Sequence, residues 1–298
     1  MEDRILGVDI GGTDIKFGIV EDGKVVAKHK IPTIYKDNSD MLVEYITLEC
    51  KNLVDEYSVK KIGVGVPGEI KDRNIVVAPG NLPFRNTPLG AILSESLGTN
   101  VNIENDAKCA ALGEAVFGEG KNFLNQVMIT VGTGIGGAII INKEIYRGRG
   151  AAGEIGHMII EKDGKKCPCG QRGCLEQYIS AAALIRAAEK AMIGNKESLL
   201  YHLYAENEYK IDGKIFFKAL LSGCSIAEEV FDKYTDYFAD GLKSVIMIFD
   251  PDIIVLSGGI TKTGEAFIKP IVEKTHRDVP IKISSLQGDA GILGASLV

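Results

Sequence analysis

The sequence predicts an α/β protein made of two related halves, and three observations predict it. Short apolar strands alternate with helix-period segments along the whole chain. The layout of strand, glycine-rich hairpin with threonine, strand, polar turn and strand occurs twice, over residues 4–31 and again at Gln126–Gly148. No low-complexity linker separates the copies, so the boundary falls in an ordinary loop, placed here at Gly118-Glu119-Gly120.

In the first copy, Ile5–Asp9 runs into Ile10-Gly11-Gly12-Thr13, Ile15–Val20 follows, and a turn at Glu21-Asp22-Gly23 leads to Val25–Ile31. Ser39–Tyr57 has the spacing of an amphipathic helix, and Lys61–Val66 is a strand that stops at Pro67-Gly68. A helix is expected over Asn86–Leu97, a strand over Val101–Ile103 and a helix over Ala107–Phe117. The second copy sets Val127–Val131 before Gly132-Thr133-Gly134-Ile135-Gly136-Gly137, then Ala138–Ile141, a turn at Asn142-Lys143, and Glu144–Tyr146. Helices over Ala181–Ile193 and Ser225–Phe249 follow, the latter ended by Asp250-Pro251. A buried strand at Ile253–Leu256 leads to Ser257-Gly258-Gly259; a helix around Glu265–His276, a strand at Ile281–Ser284 and a helix from Ala290 complete the chain.

Composition excludes several classes. The 298 residues are 45% hydrophobic and 25% charged, enough for a sizeable core. A formal charge of -6 argues against a general nucleic-acid binder, which needs a basic face. No apolar run approaches the roughly 18 residues of a membrane span, and Met1-Glu2-Asp3-Arg4 lacks the basic and apolar regions of a signal peptide. A cytoplasmic location is expected, where thiols stay reduced. Cys50, Cys109 and Cys224 sit alone in apolar surroundings, as small core residues do.

Gly132–Gly137 formally matches the dinucleotide fingerprint G-x-G-x-x-G, but that loop must open a helix. Here β-branched Ile139-Ile140-Ile141 and a turn follow, which predicts a second strand. No G-x-x-x-x-G-K-[ST] occurs, which excludes P-loop NTPases. Gly11, Gly12 and Thr13, and Gly132, Thr133, Gly134, Gly136 and Gly137, are either tight β-turns or anion nests in which positive-φ glycines bring N–H groups to a phosphate. Two similar hairpins favour the nests, because a nucleotide's phosphates need donors from both sides. Asp9 is suited to hold a hydrated Mg²⁺ beside them, and Lys16 adds a point charge.

His157, Cys167, Cys169 and Cys174 lie within eighteen residues and supply three of the six cysteines and one of the four histidines. A disulfide or isolated core thiols are the alternatives, but three thiolates and an imidazole complete a tetrahedral zinc shell with no position open for a reactive water. The zinc is therefore expected to be structural. Glu154 and Glu176 flank the shell, either as solvated surface acids or as carboxylates able to accept from paired sugar hydroxyls. Asn105-Asp106 opens a helix, where Asp106 is either an N-cap or a carboxylate that accepts a proton from an attacking hydroxyl.

The segments Asp9-Ile10-Gly11-Gly12-Thr13-Asp14-Ile15-Lys16, Asn105-Asp106-Ala107, Gly132–Gly137 and Gly153-Glu154-Ile155-Gly156-His157, with Cys-x-Cys-Gly-x-x-Gly-Cys-x-Glu, resemble the ROK family of sugar kinases and repressors. The resemblance runs from residue 5 to the terminal Gly294-Ala295 helix. It implies two RNase-H-like domains of the actin/hexokinase type flanking a cleft, with residues 1–118 plus 287–298 as the smaller and 119–286 as the larger. It also implies ATP-dependent phosphorylation of a hexose, glucose first, with N-acetylmannosamine, fructose, allose and β-glucosides open. Asp106 matches the family's catalytic aspartate. Gly68, Asn81, Asn105, Glu154, His157 and Glu176 match its sugar site, and Gly258-Gly259 the border of the adenosine. Relatives are often homodimers or homotetramers. Two departures concern the sugar: Phe84-Arg85 stands where glucokinases of the family commonly have Gly-Trp, and Lys108 where asparagine is common. A repressor of the family would carry an added helix-turn-helix module, for which the start of this chain leaves no room, and a catalytically silent sugar binder is the third possibility.

Overall fold

The structure, a computed structural model, describes residues 4–298. The chain opens with β1 (Ile5–Ile10), β2 (Asp14–Glu21), β3 (Lys24–Pro32), α1 (Ser39–Tyr57) and β4 (Lys61–Val66). Two short strands, β5 (Ile70–Lys71) and β6 (Ile75–Val76), precede α2 (Leu89–Leu97), β7 (Val101–Asn105) and α3 (Asp106–Phe117). Next come β8 (Gln126–Val131), β9 (Ile135–Ile141), β10 (Glu144–Ile145) and the short α4 (Glu176–Ile179). A helical stretch follows: α5 (Ala181–Ile193), α6 (Leu199–Glu206), α7 (Gly213–Leu221) and α8 (Ser225–Phe249). The chain ends with β11 (Ile253–Ser257), α9 (Glu265–Thr275), β12 (Ile281–Ile283) and α10 (Ala290–Ala295).

Two five-stranded sheets share one plan, ordered β3-β2-β1-β4-β7 and β10-β9-β8-β11-β12. In the first, β1 pairs antiparallel with β2 and parallel with β4, and β4 runs parallel to β7. In the second, β9 and β10 are antiparallel and β11 and β12 parallel. This identity of order bears out the internal repeat. By its contacts the chain forms two compact units, Met1–Met128 with Ala138–Gly153 and Ser284–Val298, and Ile129–Gly137 with Glu154–Ile283.

Local chemistry explains most elements. α1 starts where the Asn38 side chain accepts the Met41 amide and ends at Ser58, whose φ of 55° is left-handed. Between these caps it buries Leu42, Val43, Ile46, Cys50 and Leu53, one stripe at helical spacing. α2 is shorter than expected, because Thr87 exchanges both backbone hydrogen bonds with Val76 and Pro88 then blocks a helical start upstream. Residues 194–224, where no element is expected from the sequence, hold α6 and α7. Their signals were local: Ser198 and Asp212 cap them by accepting from Tyr201 and Ile215 amides.

In the first unit, α10 lies against α3, β1 and β4 with almost no side-chain spacer. A Cβ at Gly7, Gly63 or Gly113 would overlap the carbonyl oxygen of Ile292, Ala295 or Ala290, and one at Gly294 would overlap that of Cys109. Glu114, fully buried on α3, accepts from Ser284 Oγ, the Leu286 amide and the Glu119 amide, and so pins the chain's return to this unit. Gly63→Ala is expected to destabilise the protein by about 3 kcal/mol, since backbone rather than a pliant side chain must move. Denaturant unfolding measures this; an unchanged midpoint would mean that α10 is not docked this closely.

Candidate active site and metal cluster

Strand register delivers the first group of residues. Asp9 and Lys16 face each other across β1 and β2, and their side chains form a 2.8 Å ion pair. Burial works against the Lys16 charge, but Asp9, then Asp14 and Asp106, more than offset it, so the ammonium titrates above the ordinary lysine value. Asp106 lies beside this pair through Gly65, which pairs with Asp9 across β1 and β4 and whose Cβ position is 3.5 Å from Asp106 Cα. Gly291, at the start of α10, lies against Asp9, where a Cβ would stand 3.1 Å from the carboxyl carbon.

The hairpin glycines are glycine for a reason other than the expected one. None of Gly11, Gly12, Gly132 and Gly134 has a left-handed φ; each is short of room or open to solvent instead. A Cβ at Gly12 would overlap the Asn81 amide, which brings the sugar-site candidate Asn81 onto the phosphate-site candidate Gly12. The Gly11 amide is engaged inside its own turn with the Asp14 carbonyl, and the Gly11 and Thr13 carbonyls accept from Thr33. The Gly132 amide is likewise engaged with the Gly134 carbonyl. Thr13 and Thr133, the hydroxyl-bearing residues of the two hairpins, are both exposed. After Gly137 the chain continues as β9, as its β-branched residues predict.

β7 passes directly into α3, and that junction positions the proposed base. Asn105 is the N-cap: its Oδ1 accepts from the Lys108 amide while its Nδ2 donates to the Gly68 carbonyl. The capping role thus belongs to Asn105, and Asp106 is the first helical residue, with Oδ1 accepting from the Ala107 amide at 2.9 Å. Gly68, at a φ of 95°, packs on Pro79, near the exposed Asn81. Two ties that sequence spacing gave no hint of bracket the junction. Glu104, 2% exposed, accepts from Arg147 Nε, and the buried Lys108 ammonium donates to the Gly150 carbonyl. Lys108 was legible only as an unusual residue; its burial shows that it holds the Arg147–Gly150 segment against α3.

In the second unit, the Ile155–His157 3-10 turn and the Cys167–Cys174 loop bring His157, Cys167, Cys169 and Cys174 together, with ligand atoms all within 4.8 Å of one another. His157 Nδ1 is 3.6 Å from Cys167 Sγ, and Cys169 Sγ is 3.6 Å from Cys174 Sγ. A tetrahedron with arms of about 2.3 Å has edges of about 3.8 Å, so the cluster has the dimensions of a zinc shell. It is Nδ1 that faces the sulfurs, which leaves Nε2 directed elsewhere. Burial pushes the Cys174 thiol up to about 12, while the Gln171 amide lowers Cys169. Cys50 is also pushed up to about 12 and Cys109 rises with burial, which fits their place in the core.

Glu154 is exposed and its carbonyl accepts from the His157 amide. Glu176, half-buried at the start of α4, accepts from the Ile135 amide through Oε2 and from Gln177 Nε2 through Oε1. Gly258 has a φ of 119° and a Cβ there would overlap the Val131 carbonyl, whereas Gly259 is exposed with open space around it.

Two α/β units built on one repeated strand order, with paired glycine hairpins and an Asp-initiated helix, define a protein of the actin/hexokinase type. The family profile described as ROK family matches residues 5–298, and the chain belongs to that family. A glucokinase of Thermotoga maritima is 34% identical over 307 residues, covering 99% of this chain and 96% of that protein. Among solved structures, a ROK family glucokinase from Streptomyces griseus in complex with glucose and AMPPNP superposes with a TM-score of 0.86 at 32% identity, covering 98% of both chains. A ROK family transcriptional regulator superposes with a TM-score of 0.89 at 25% identity, and this chain covers 78% of it. Overall shape therefore does not separate kinases from regulators; site residues must.

Proposed function

We propose that this ROK family sugar kinase transfers the γ-phosphoryl group of ATP to a hexose hydroxyl, glucose being the first candidate and glucose 6-phosphate the product. The observation that carries the reading is the Asp106 carboxylate at the first position of α3, whose Cα lies 3.5 Å from the Cβ position of Gly65, the β4 partner of Asp9. A base for an alcohol and a charge pair for a metal-bound phosphate thus share one neighbourhood.

Asp106 orients the acceptor hydroxyl and takes its proton late, which a loose transition state permits. Gly68, Asn81 and Asn105, with Glu154, His157 and Glu176, hold the remaining hydroxyls. Gly11, Gly12, Thr13 and Lys16, with Gly132, Thr133, Gly134, Gly136 and Gly137, hold the phosphates, and Gly258 and Gly259 border the adenosine. Asp9 offers a carboxylate for a hydrated Mg²⁺, and it pairs with the Lys16 ammonium at 2.8 Å. When bound, Mg²⁺ supplies charge neutralisation at the phosphates and zinc, on His157, Cys167, Cys169 and Cys174, supplies rigidity to the sugar loop. Residues 1–118 plus 287–298 and 119–286 are the domains in this reading, and the protein is a cytoplasmic homodimer or homotetramer. Among the described residues no helix is long and apolar enough to cross a membrane.

An ATP-coupled assay over a panel of hexoses and amino sugars tests the reading. Turnover is expected on at least one, with glucose preferred. Binding of a hexose without turnover of any would replace the kinase by a sugar-binding regulator. Phe84 is fully buried, while Arg85 Nη1 donates to the Leu82 and Phe84 carbonyls. The departure from Gly-Trp is thus structurally accommodated, and the panel decides its effect on sugar choice.

A further inference from the structure

We infer that Glu176 is a positioning residue for the nucleotide: it ties the metal-bearing loop to the Gly132–Gly137 hairpin, so that the two are built as one piece. The inference rests on the nucleotide and zinc reading above and adds to it a role for this carboxylate besides sugar binding. Glu176 Oε2 accepts the Ile135 amide at 3.2 Å across 41 residues of sequence. A Cβ at Gly134, just before it, would overlap the same oxygen, so an alanine there must displace the Glu176 carboxylate. The other Glu176 oxygen lies 3.7 Å from Cys167 Sγ, a member of the metal cluster. Two backbone contacts complete the attachment. Gly156, beside His157, packs so closely that a Cβ would overlap the Ile135 carbonyl oxygen, and the Ala181 amide donates to the Gly132 carbonyl at 2.9 Å.

A hairpin with glycine at four of six positions loses much backbone freedom when it grips an anion. Anchors at Gly132 and Ile135 remove that freedom in advance, which favours binding. Of these anchors only the one from Glu176 uses a side chain, and its hydrogen bond is charge-assisted. It follows that Glu176, two residues from Cys174, acts on nucleotide affinity even when no sugar is present.

The test is titration calorimetry of the zinc-loaded, full-length protein with a non-hydrolysable ATP analogue and no sugar. Glu176→Ala is expected to bind the nucleotide about tenfold more weakly, and Glu176→Gln, whose amide oxygen can still accept from Ile135, within about threefold of wild type. Arg172→Ala, exposed on the same loop and donating there to the Asp163 carbonyl, should leave nucleotide affinity unchanged. Gly134→Ala should weaken binding with zinc content intact. The double variant Gly134→Ala/Glu176→Ala should be no worse than the weaker single one, because both remove one contact. Glu176→Ala binding as tightly as wild type, or additive effects in the double variant, would overturn the inference and leave the kinase reading standing. If Glu176→Ala loses zinc, Gly134→Ala alone decides, and wild-type affinity there overturns it. Wild-type protein that fails to bind the analogue would instead remove the nucleotide reading itself.

Discussion

Asp106→Asn is expected to lower kcat by about a thousandfold, within the range for loss of a general base, while sugar affinity stays close to wild type. The amide has the size of the carboxylate, and its oxygen can still accept from the Ala107 amide, the contact made by Oδ1. Asn105 still caps α3 and still donates to the Gly68 carbonyl, so the Gly68 loop keeps its shape. What disappears is the negative charge that orients a hydroxyl and receives its proton. Lys16 loses one of three carboxylates raising its pKa, of which Asp9 is the first, and so remains an ammonium at neutral pH. A coupled assay gives kcat, and calorimetry gives sugar binding. Turnover within about tenfold of wild type would remove Asp106 from the role.

Removal of the metal carries the second large effect. About one zinc per chain is expected by metal analysis. Its loss should cost on the order of 10 kcal/mol of local order, by analogy with small zinc modules, and abolish sugar binding through lost geometry. Buried Cys174, its thiol pushed up to about 12, is protonated at neutral pH without a metal. Each thiol must shed a proton to bind zinc, so affinity falls as pH falls, and acid should release the metal before it unfolds the rest. Cys174→Ala should mimic chelation, because no neighbouring group replaces a missing sulfur in a closed shell. A metal-free preparation with full activity would defeat the clamp.

How much could be read in advance depended on the distance over which each signal acts. Helix α8 was placed at Ser225–Phe249, with the bounds observed, because its stripe from Ala227 to Ile246 and the left-handed Asp250 before Pro251 are local patterns. The Cys/His cluster was legible for the same reason, its ligands lying in two short turns. α6 and α7 escaped although their caps were present, since short helices offer only about two turns of periodicity. At Asn105-Asp106 sequence alone left two roles open; hydrogen bonding separated them, giving the cap to Asn105.

By itself the sequence determined the repeated α/β plan, the residues of the Cys/His cluster and membership of the ROK family. Each is written in residues a few positions apart, where hydrophobic period, capping and ligand spacing act directly. Left to packing were the reasons for the glycines at Gly12 and Gly134, the hold of Lys108 on Gly150, the seating of α10, and the tie from Glu176 to Ile135. These join residues tens to hundreds of positions apart, and no local spacing can specify a partner that only the folded backbone brings within hydrogen-bonding distance.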